Sequence, residues 1–431
     1  MKINSLISHL NEIYSIVINW EKPVDIELQK YYRARKYLGS KDRRFISEYL
    51  YSIIRNHRLV THIAEKHFAC FKNVDYFAIL FFINYILSNE NNTDILNYFN
   101  EIFTENHKLI SSIKEEFSLS ENNLSLKYSF PDWMIERFAQ FISEEDMEKF
   151  LISLNMNAPT VIRIIDKIFE QDVKKDFEEL FVSLFKSSVA PEAFIVEKRI
   201  NFNNIPSFKN GHFEVQDIGS QLVTLFVEPN SGVEQKIKIL DACAGAGGKS
   251  LYLSQLIGDK GLIYAYDFNQ KRLDVFKKRL NFYTKSENKN YSNIQFINNE
   301  EDLKSLKNKI DILVLDAPCS GSGTIRRNPD LKWRLNEKQV LAYAKKQLSI
   351  LEDYACYLKE DGKLVYITCS FFKEENENVI NHFLEKHSEF KFDEKNSFCN
   401  KYNLQLENNF LRLYPHKNNT DGFTACVLHL N

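Results

Sequence analysis

The chain has 431 residues, of which 44% are hydrophobic and 26% charged, with a formal net charge of −2. That balance is an ordinary globular one, with room for two or three domains. It excludes a collagen-like chain, a disordered tail and a small disulfide scaffold. The seven cysteines are odd in number and widely spread, which points to reduced thiols and a cytoplasmic setting. Met1–Glu12 lacks the apolar core of a signal peptide. Tyr76–Leu87, the longest apolar run, is twelve residues long and interrupted by Asn84, so it predicts a buried helix and no membrane span. The near-neutral charge, taken as a sum, argues against a nucleic-acid partner.

The first ~120 residues read as helical. Apolar residues recur at helical spacing through Phe45–Ile54, behind Ser40 as an expected N-cap, and again through Phe77–Leu87. An all-α domain is expected over residues 1–126. A small α+β linker subdomain is expected over 127–200, with a helix starting at Pro131-Asp132 and a strand at Thr160–Ile165. From residue 201 to 431 strand-length apolar runs alternate with helical stretches, the pattern of a parallel α/β sheet. The expected strands are Lys238–Leu240, Leu262–Tyr266, Ile294–Ile297, Ile310–Leu315 and Lys363–Ile367, then a pair near Phe410–Tyr414 and Phe423–His429. Helices are expected at Ser250–Leu256, Lys271–Tyr283 and Glu337–Leu358.

Four segments carry chemistry. The first is the glycine-rich turn from Asp241 to Ser250, where a strand runs into a helix whose N-terminal N–H groups are free to meet a ligand. It fails as a phosphate-binding loop because Cys243 stands where the first glycine belongs, and as a dinucleotide fingerprint because Ser250 replaces the last glycine. A glycine loop beside an acid, the form used for S-adenosylmethionine, remains, as does an ordinary turn of an α/β sheet. The second is Asp267, ending the next strand, placed either to grip a ribose diol or to cap a helix. The third is Asp316-Ala317-Pro318-Cys319 and the fourth Thr368-Cys369-Ser370, each at a strand end. In a parallel sheet these ends share one rim, so Cys319, Cys369, both acids and the loop should converge. Of the other cysteines (Cys70, Cys243, Cys356, Cys399, Cys426), most should be small buried hydrophobes. No closely spaced Cys pair is present, so no metal is expected.

These residues together resemble the RNA cytosine-C5 methyltransferases of the RsmB/Sun family, which includes the Nop and NSUN enzymes. The resemblance runs through Val215–Gln221, Asp241–Lys249, Asp316–Gly323, Arg326–Asp330, Thr368–Ser370, Arg412–His416 and Asp421–Phe423. Tyr37–Phe45 with Tyr51 and Arg55 resembles the NusB-like domain of the bacterial 16S rRNA enzymes, and Ser129–Trp133 with Asn157–Pro159 and Arg163 resembles their linker. The implied fold is a Rossmann-like S-adenosylmethionine-dependent methyltransferase domain behind a NusB-like, RNA-binding one. The implied reaction is methylation of C5 of a cytosine in 16S rRNA through a covalent adduct at C6. The same resemblance leaves open a tRNA substrate, or a non-catalytic RNA-binding assembly factor.

By resemblance Cys369 is the nucleophile, Cys319 assists proton loss and adduct release, and Asp316 holds the base edge. S-adenosyl-L-methionine would lie on Cys243, Ala244, Gly245, Ala246, Gly247, Gly248 and Lys249, with Asp267 on the ribose and Asp316 and Arg272 supporting. The family's acid after the third strand is missing, leaving Asn299 or Glu300 in that region. A soluble, cytoplasmic monomer is expected, with no membrane partner. Charge distribution now matters more than its sum: Lys30–Arg58 carries nine Lys/Arg against two acids, and Thr324–Lys338 five against two. Lys41, Arg43, Arg44, Arg326 and Arg327 are the expected RNA contacts.

Overall fold

The run Tyr76–Leu87 forms a single helix in the computed structural model, which describes every residue except 68–73, 89, 104–105, 230–235, 286–290 and 394–395. Cys70 lies outside the described residues. Phe77 to Tyr85 are all buried, as a helix apolar on every side requires. Asn84, buried among them, is satisfied: it accepts from Asn56 Nδ2 and donates to Ser52 Oγ, both at 3.0 Å. Helices Ile3–Val17, Ser40–Arg55, His57–His67 and Thr93–Ile102 contribute to the same core. Ser40 is the first helical residue. The cap is Gly39, whose N–H donates to Asp42 at 3.0 Å.

The chain divides into two units, and not at residues 126 and 200. One unit is Met1–Asn157 with Ile325–Glu337; the other is Ala158–Thr324 with Lys338–Asn431. The expected linker subdomain is therefore split. Its first part, with helices Asp132–Phe138 and Glu144–Asn155, is tied into the helical unit. There Arg58 clamps Asp132 through both guanidinium nitrogens at 2.8 and 2.9 Å, and Ser129 Oγ accepts from the Arg58 N–H at 2.7 Å. Ile325–Glu337 joins the same unit from far along the chain. Arg55 donates to the Arg326 carbonyl at 2.8 Å, and Trp333 Nε1 to the Ile54 carbonyl at 2.9 Å.

The linker's second part belongs to the other unit. It forms a small antiparallel sheet of β1 (Thr160–Ile164), β2 (Leu184–Lys186), β3 (Ala193–Val196) and β4 (Phe213–Val215), in the order β2-β3-β1-β4. The main sheet comprises β5 (Ile237–Asp241), β6 (Gly261–Ala265), β7 (Ile294–Phe296), β8 (Ile310–Asp316), β9 (Leu358–Thr368), β10 (Phe390–Phe392), β11 (Leu406–Glu407), β12 (Phe410–Leu413) and β13 (Phe423–Leu430). Its order is β7-β6-β5-β8-β9-β13-β12-β11, with β10 also on β13. Strands β5 to β9 pair in parallel, and β13 runs antiparallel to β9. Alternate residues feed two apolar layers: Ile239, Val314 and Val365 into one, Leu240, Leu313 and Leu364 into the other. The helix expected to reach Leu358 stops at Ala355, because Leu358 opens β9 and pairs with Ile310. Strand order reverses between β5 and β8, and there the carboxyl ends leave the crevice in which open α/β sheets bind ligands. Among the described residues no helix is long and apolar enough to cross a membrane.

Candidate active site

The turn after β5 takes its shape from two glycines with positive φ, Gly245 at +54° and Gly247 at +85°. A Cβ on Gly247 would lie 2.0 Å from the Phe276 ring, so no side chain fits. Gly247 is thus a turn residue, whereas Cys243, Ala244, Gly245, Ala246, Gly248 and Lys249 line a cavity of about 270 Å³ together with Arg272 and Asp316. Asp241, Gln216 and Arg279 also stand in its wall. Burial pushes the Asp241 carboxyl up to about 7, against the 2.5 Å hydrogen bond from Ser250 Oγ.

Lys249 Nζ sits 2.7 Å from Asp316 Oδ2. Burial alone would lower the Lys249 pKa, but Asp316, with Cys369 and Asp241, raises it. Asp267 is turned into the fold: its carboxylate accepts from the Gly245 and Asn269 N–H groups, both at 2.8 Å. It braces the loop and holds Asn269, whose own side chain caps the next helix by accepting from the Lys271 N–H at 3.2 Å, while Arg272 stands 3.9 Å away. Asn299 is not among the cavity's residues. It caps the helix Glu300–Lys304, accepting from the Asp302 N–H at 2.8 Å.

The two cysteines do converge. Cys319 Sγ and Cys369 Sγ are 3.3 Å apart, both half-buried. The Cys319 thiol is pushed well above its usual range by its hydrogen bond to Cys369, by burial and by the Glu375 carboxylate. Glu375, fully buried, grips the residue after each cysteine: it accepts from Ser320 N at 2.7 Å and from Ser320 Oγ and Ser370 Oγ at 2.5 Å each. Gln347 adds a bond at 3.1 Å. Burial raises the Glu375 pKa, and the serine hydroxyls oppose it. A second tie joins the loops, Gly323 N–H to the Cys369 carbonyl at 2.9 Å. Gly323 also packs on Gly422 so closely that a Cβ would lie 2.1 Å from the Gly422 carbonyl oxygen.

Glu375 was not singled out in the sequence, where it stands in the run Lys373-Glu374-Glu375-Asn376-Glu377 and looks like a solvated acid. Gln216 and Arg279 were likewise missed as wall residues. Gln216 links Arg163 Nε, at 2.7 Å, to the Gly248 carbonyl, at 3.3 Å, and so props the glycine loop from β1. Arg163 is itself wholly buried and ion-paired to Glu214 at 2.9 Å.

The expected RNA contacts fare unevenly. Lys41 and Arg44 are exposed, Arg44 being paired with Glu48 at 2.7 Å. Arg43 donates to the Leu38 carbonyl at 2.9 Å. Arg326 is only 3% exposed, because Ile325–Glu337 packs into the helical unit, and Arg327 is half-buried. Cys399 and Cys426 are buried as expected, but Cys356 is exposed. Among the described residues no His/Cys/Asp/Glu group fits a metal.

A glycine loop at a sheet's switch point, under a rim of strand-end acids, makes this unit a Rossmann-like domain with a cofactor-sized crevice. Two relatives have the printed name probable ribosomal RNA small subunit methyltransferase B. That of Synechocystis sp. is 29% identical over 320 residues, 72% of this chain and 68% of its own length. That of Bacillus subtilis is 28% identical over 325 residues, 71% and 67%. The crystal structure of PH0851 shares the fold at TM-score 0.73 and 24% identity, covering 97% of both chains. A methyltransferase homolog from Pyrococcus horikoshii aligns at TM-score 0.58 and 24% identity, over 72% of this chain and 98% of its own. Residues 228–429 match the family model for the 16S rRNA methyltransferase RsmB/F.

Proposed function

We propose that the protein methylates C5 of a cytosine in 16S rRNA, with Cys369 as nucleophile. The observation that carries this reading is the 3.3 Å approach of Cys319 and Cys369 at the rim where Asp316 meets Lys249. Cytosine C5 is a weak nucleophile; addition of a thiolate to C6 converts it into an enamine carbon that accepts a methyl group. S-adenosylmethionine supplies an electrophilic methyl when bound. The loop's backbone and its cations suit the carboxylate of such a cofactor, and Asp241 and Asp316 suit its ammonium. These donor types fit the group.

Lys249 lies within electrostatic reach of Cys369. Asp316 would hydrogen-bond the base edge, its bond to Lys249 giving way to substrate. Cys319, its thiol pushed up by the Cys369 contact and by burial, has the assisting role by resemblance. Once its own proton has passed to solvent, Cys319 would accept the C5 proton; as that C–H bond breaks, the C5–C6 double bond re-forms and the Cys369 sulfur leaves C6 with its electron pair. The target base has to leave its stack to reach the rim, which costs a few kcal/mol.

The test is methyl transfer to small-subunit rRNA transcripts. Cys369→Ala is expected to abolish turnover with unchanged unfolding temperature; full turnover would overturn the assignment. Cys319→Ala is expected to accumulate a denaturation-resistant protein–RNA adduct, and its absence would remove the release role.

A further inference from the structure

Arg163 on β1 and Glu214 on β4 stand directly opposite each other across the two strands. Both are buried, Arg163 wholly and Glu214 to 1% exposure. Their pairing reaches beyond the small sheet. Each oxygen of the Glu214 carboxylate meets a different guanidinium, Oε2 that of Arg163 at 2.9 Å and Oε1 that of Arg279 at 2.5 Å. Arg279 comes from the helix Gln270–Lys285, which follows β6, so one carboxylate joins the small sheet to the main one.

From that hub two arms reach the glycine loop. Arg163 Nε donates to Gln216 Oε1, and Gln216 Nε2 donates to the Gly248 carbonyl. Arg279 Nη1 donates to the Ala246 carbonyl at 3.2 Å. The arms meet at one place: a Cβ on Gly248 would lie 3.6 Å from Arg279 Nη1 and 3.9 Å from Gln216 Nε2. Arg163 also grips the helix Gly248–Ile257 that the loop opens. Its Nη1 donates to Gln255, and its guanidinium lies 4.1 Å from the centre of the Tyr252 ring.

Each nitrogen of the Arg163 guanidinium thus has a directed partner. Burying such charges stabilises little, because the desolvation they cost offsets most of their attraction. What they supply is direction. A peptide group is planar, so fixing the Gly248 carbonyl also fixes the Lys249 N–H on its far side. That N–H is among the first of its helix, which have no partner within the helix and can meet a ligand. The Gly247 N–H, opposite the Ala246 carbonyl, is closed on the Ala244 carbonyl at 2.9 Å. Gln216 and Arg279 stand in the cavity wall, whereas Glu214 and Arg163 stand behind it.

We propose that Glu214 and Arg163 are positioning residues for the cofactor, setting the affinity of the glycine loop for S-adenosylmethionine without touching it. The proposal rests on the reading that S-adenosylmethionine occupies the loop's cavity, and it makes the small antiparallel sheet part of the cofactor site.

The test is calorimetric titration of the full chain with S-adenosylhomocysteine, the demethylated cofactor. Glu214→Gln keeps the size of the side chain and removes the charge that both guanidinium groups share. It should raise the Kd roughly tenfold, the size of one lost hydrogen bond to a charged group, and leave the KM for RNA at saturating cofactor unmoved. Gln216→Met, which leaves the Arg163–Glu214 pair in place, should raise the Kd by a similar factor. The double variant should lose less than the two factors multiplied, since the second change removes an arm that the first has already loosened. An unchanged Kd in a folded Glu214→Gln chain would overturn the proposal, whatever its unfolding temperature. So would a parallel rise in the KM for RNA, the mark of a general structural role, or full multiplication of the two losses, the mark of independent contacts. If Glu214→Gln does not fold, an unchanged Kd in Gln216→Met overturns the proposal by itself. No binding by the unsubstituted chain would defeat the cofactor reading and the proposal together, whereas binding that neither variant weakens would defeat the proposal alone.

Discussion

The cysteine rim and the basic stretch Lys30–Arg58 are both clusters chosen from sequence pattern, yet only the rim assembles as a cluster. At the rim, parallel strands carry Asp241, Asp316 and Cys369 to one edge, and register fixes how far apart they stand. In the basic stretch, helical geometry sends the nine cations in several directions. Lys30, Arg35, Arg44 and Arg58 pair with Glu27, Glu12, Glu48 and Asp132. Arg43 and Arg55 are spent on carbonyls. Arg33, Lys36 and Lys41 remain exposed without an ion pair among the described residues. A strand end is a position in space, whereas a run of like charges is only a composition. Buried ions are positioned and surface ones are screened.

Breaking the rim should cost most. Gly323→Val forces a side chain into the Gly422 backbone, and a loss above about 3 kcal/mol is expected in denaturant unfolding, of the size seen for overpacked sites. Unchanged stability would mean that the two glycines part freely. Glu375→Ala strands the Ser320 N–H and two hydroxyls in a buried site and should cost about 2–4 kcal/mol. Glu375→Gln keeps much of the packing. It should lower methyl transfer far more than unfolding temperature, since one of the two acceptor oxygens that join the cysteine loops becomes a donor. Parallel losses of both would reduce Glu375 to a structural acid.

The helical unit should respond to acid instead. Burial, and then the nearby Lys332 charge, lowers the His57 pKa from 6.5 to about 4. The folded state therefore binds the proton more weakly than the unfolded one. Stability is complete above pH 6.5 and falls as pH drops toward 4, by about 3 kcal/mol in all. Urea titrations at several pH values should show the decline, and His57→Gln should flatten it. The smallest effect belongs to the exposed cations. Lys41→Ala should leave stability within about 0.5 kcal/mol and reduce the salt slope of RNA binding by roughly one. An unchanged slope would place Lys41 off the RNA path.

Local pattern alone was enough for seven of the main sheet's nine strands, the glycine turn and the pair of strand-end cysteines, because period, turn chemistry and strand-end position are local properties of a chain. It also supported the family resemblance, since those motifs occur in order. Tertiary structure alone decided the rest. Residues 127–157 and 325–337 joined the helical unit through bonds spanning as many as 306 positions, a partition that composition cannot register. Glu375 became the clamp between two cysteine loops, and Asp267 turned inward to brace the glycine turn. Asn299 became a helix cap. Three tryptophans scattered over more than three hundred residues came to line one cavity. In each case burial and pairing between distant segments chose the role, and neither can be read from a residue's neighbours in the chain.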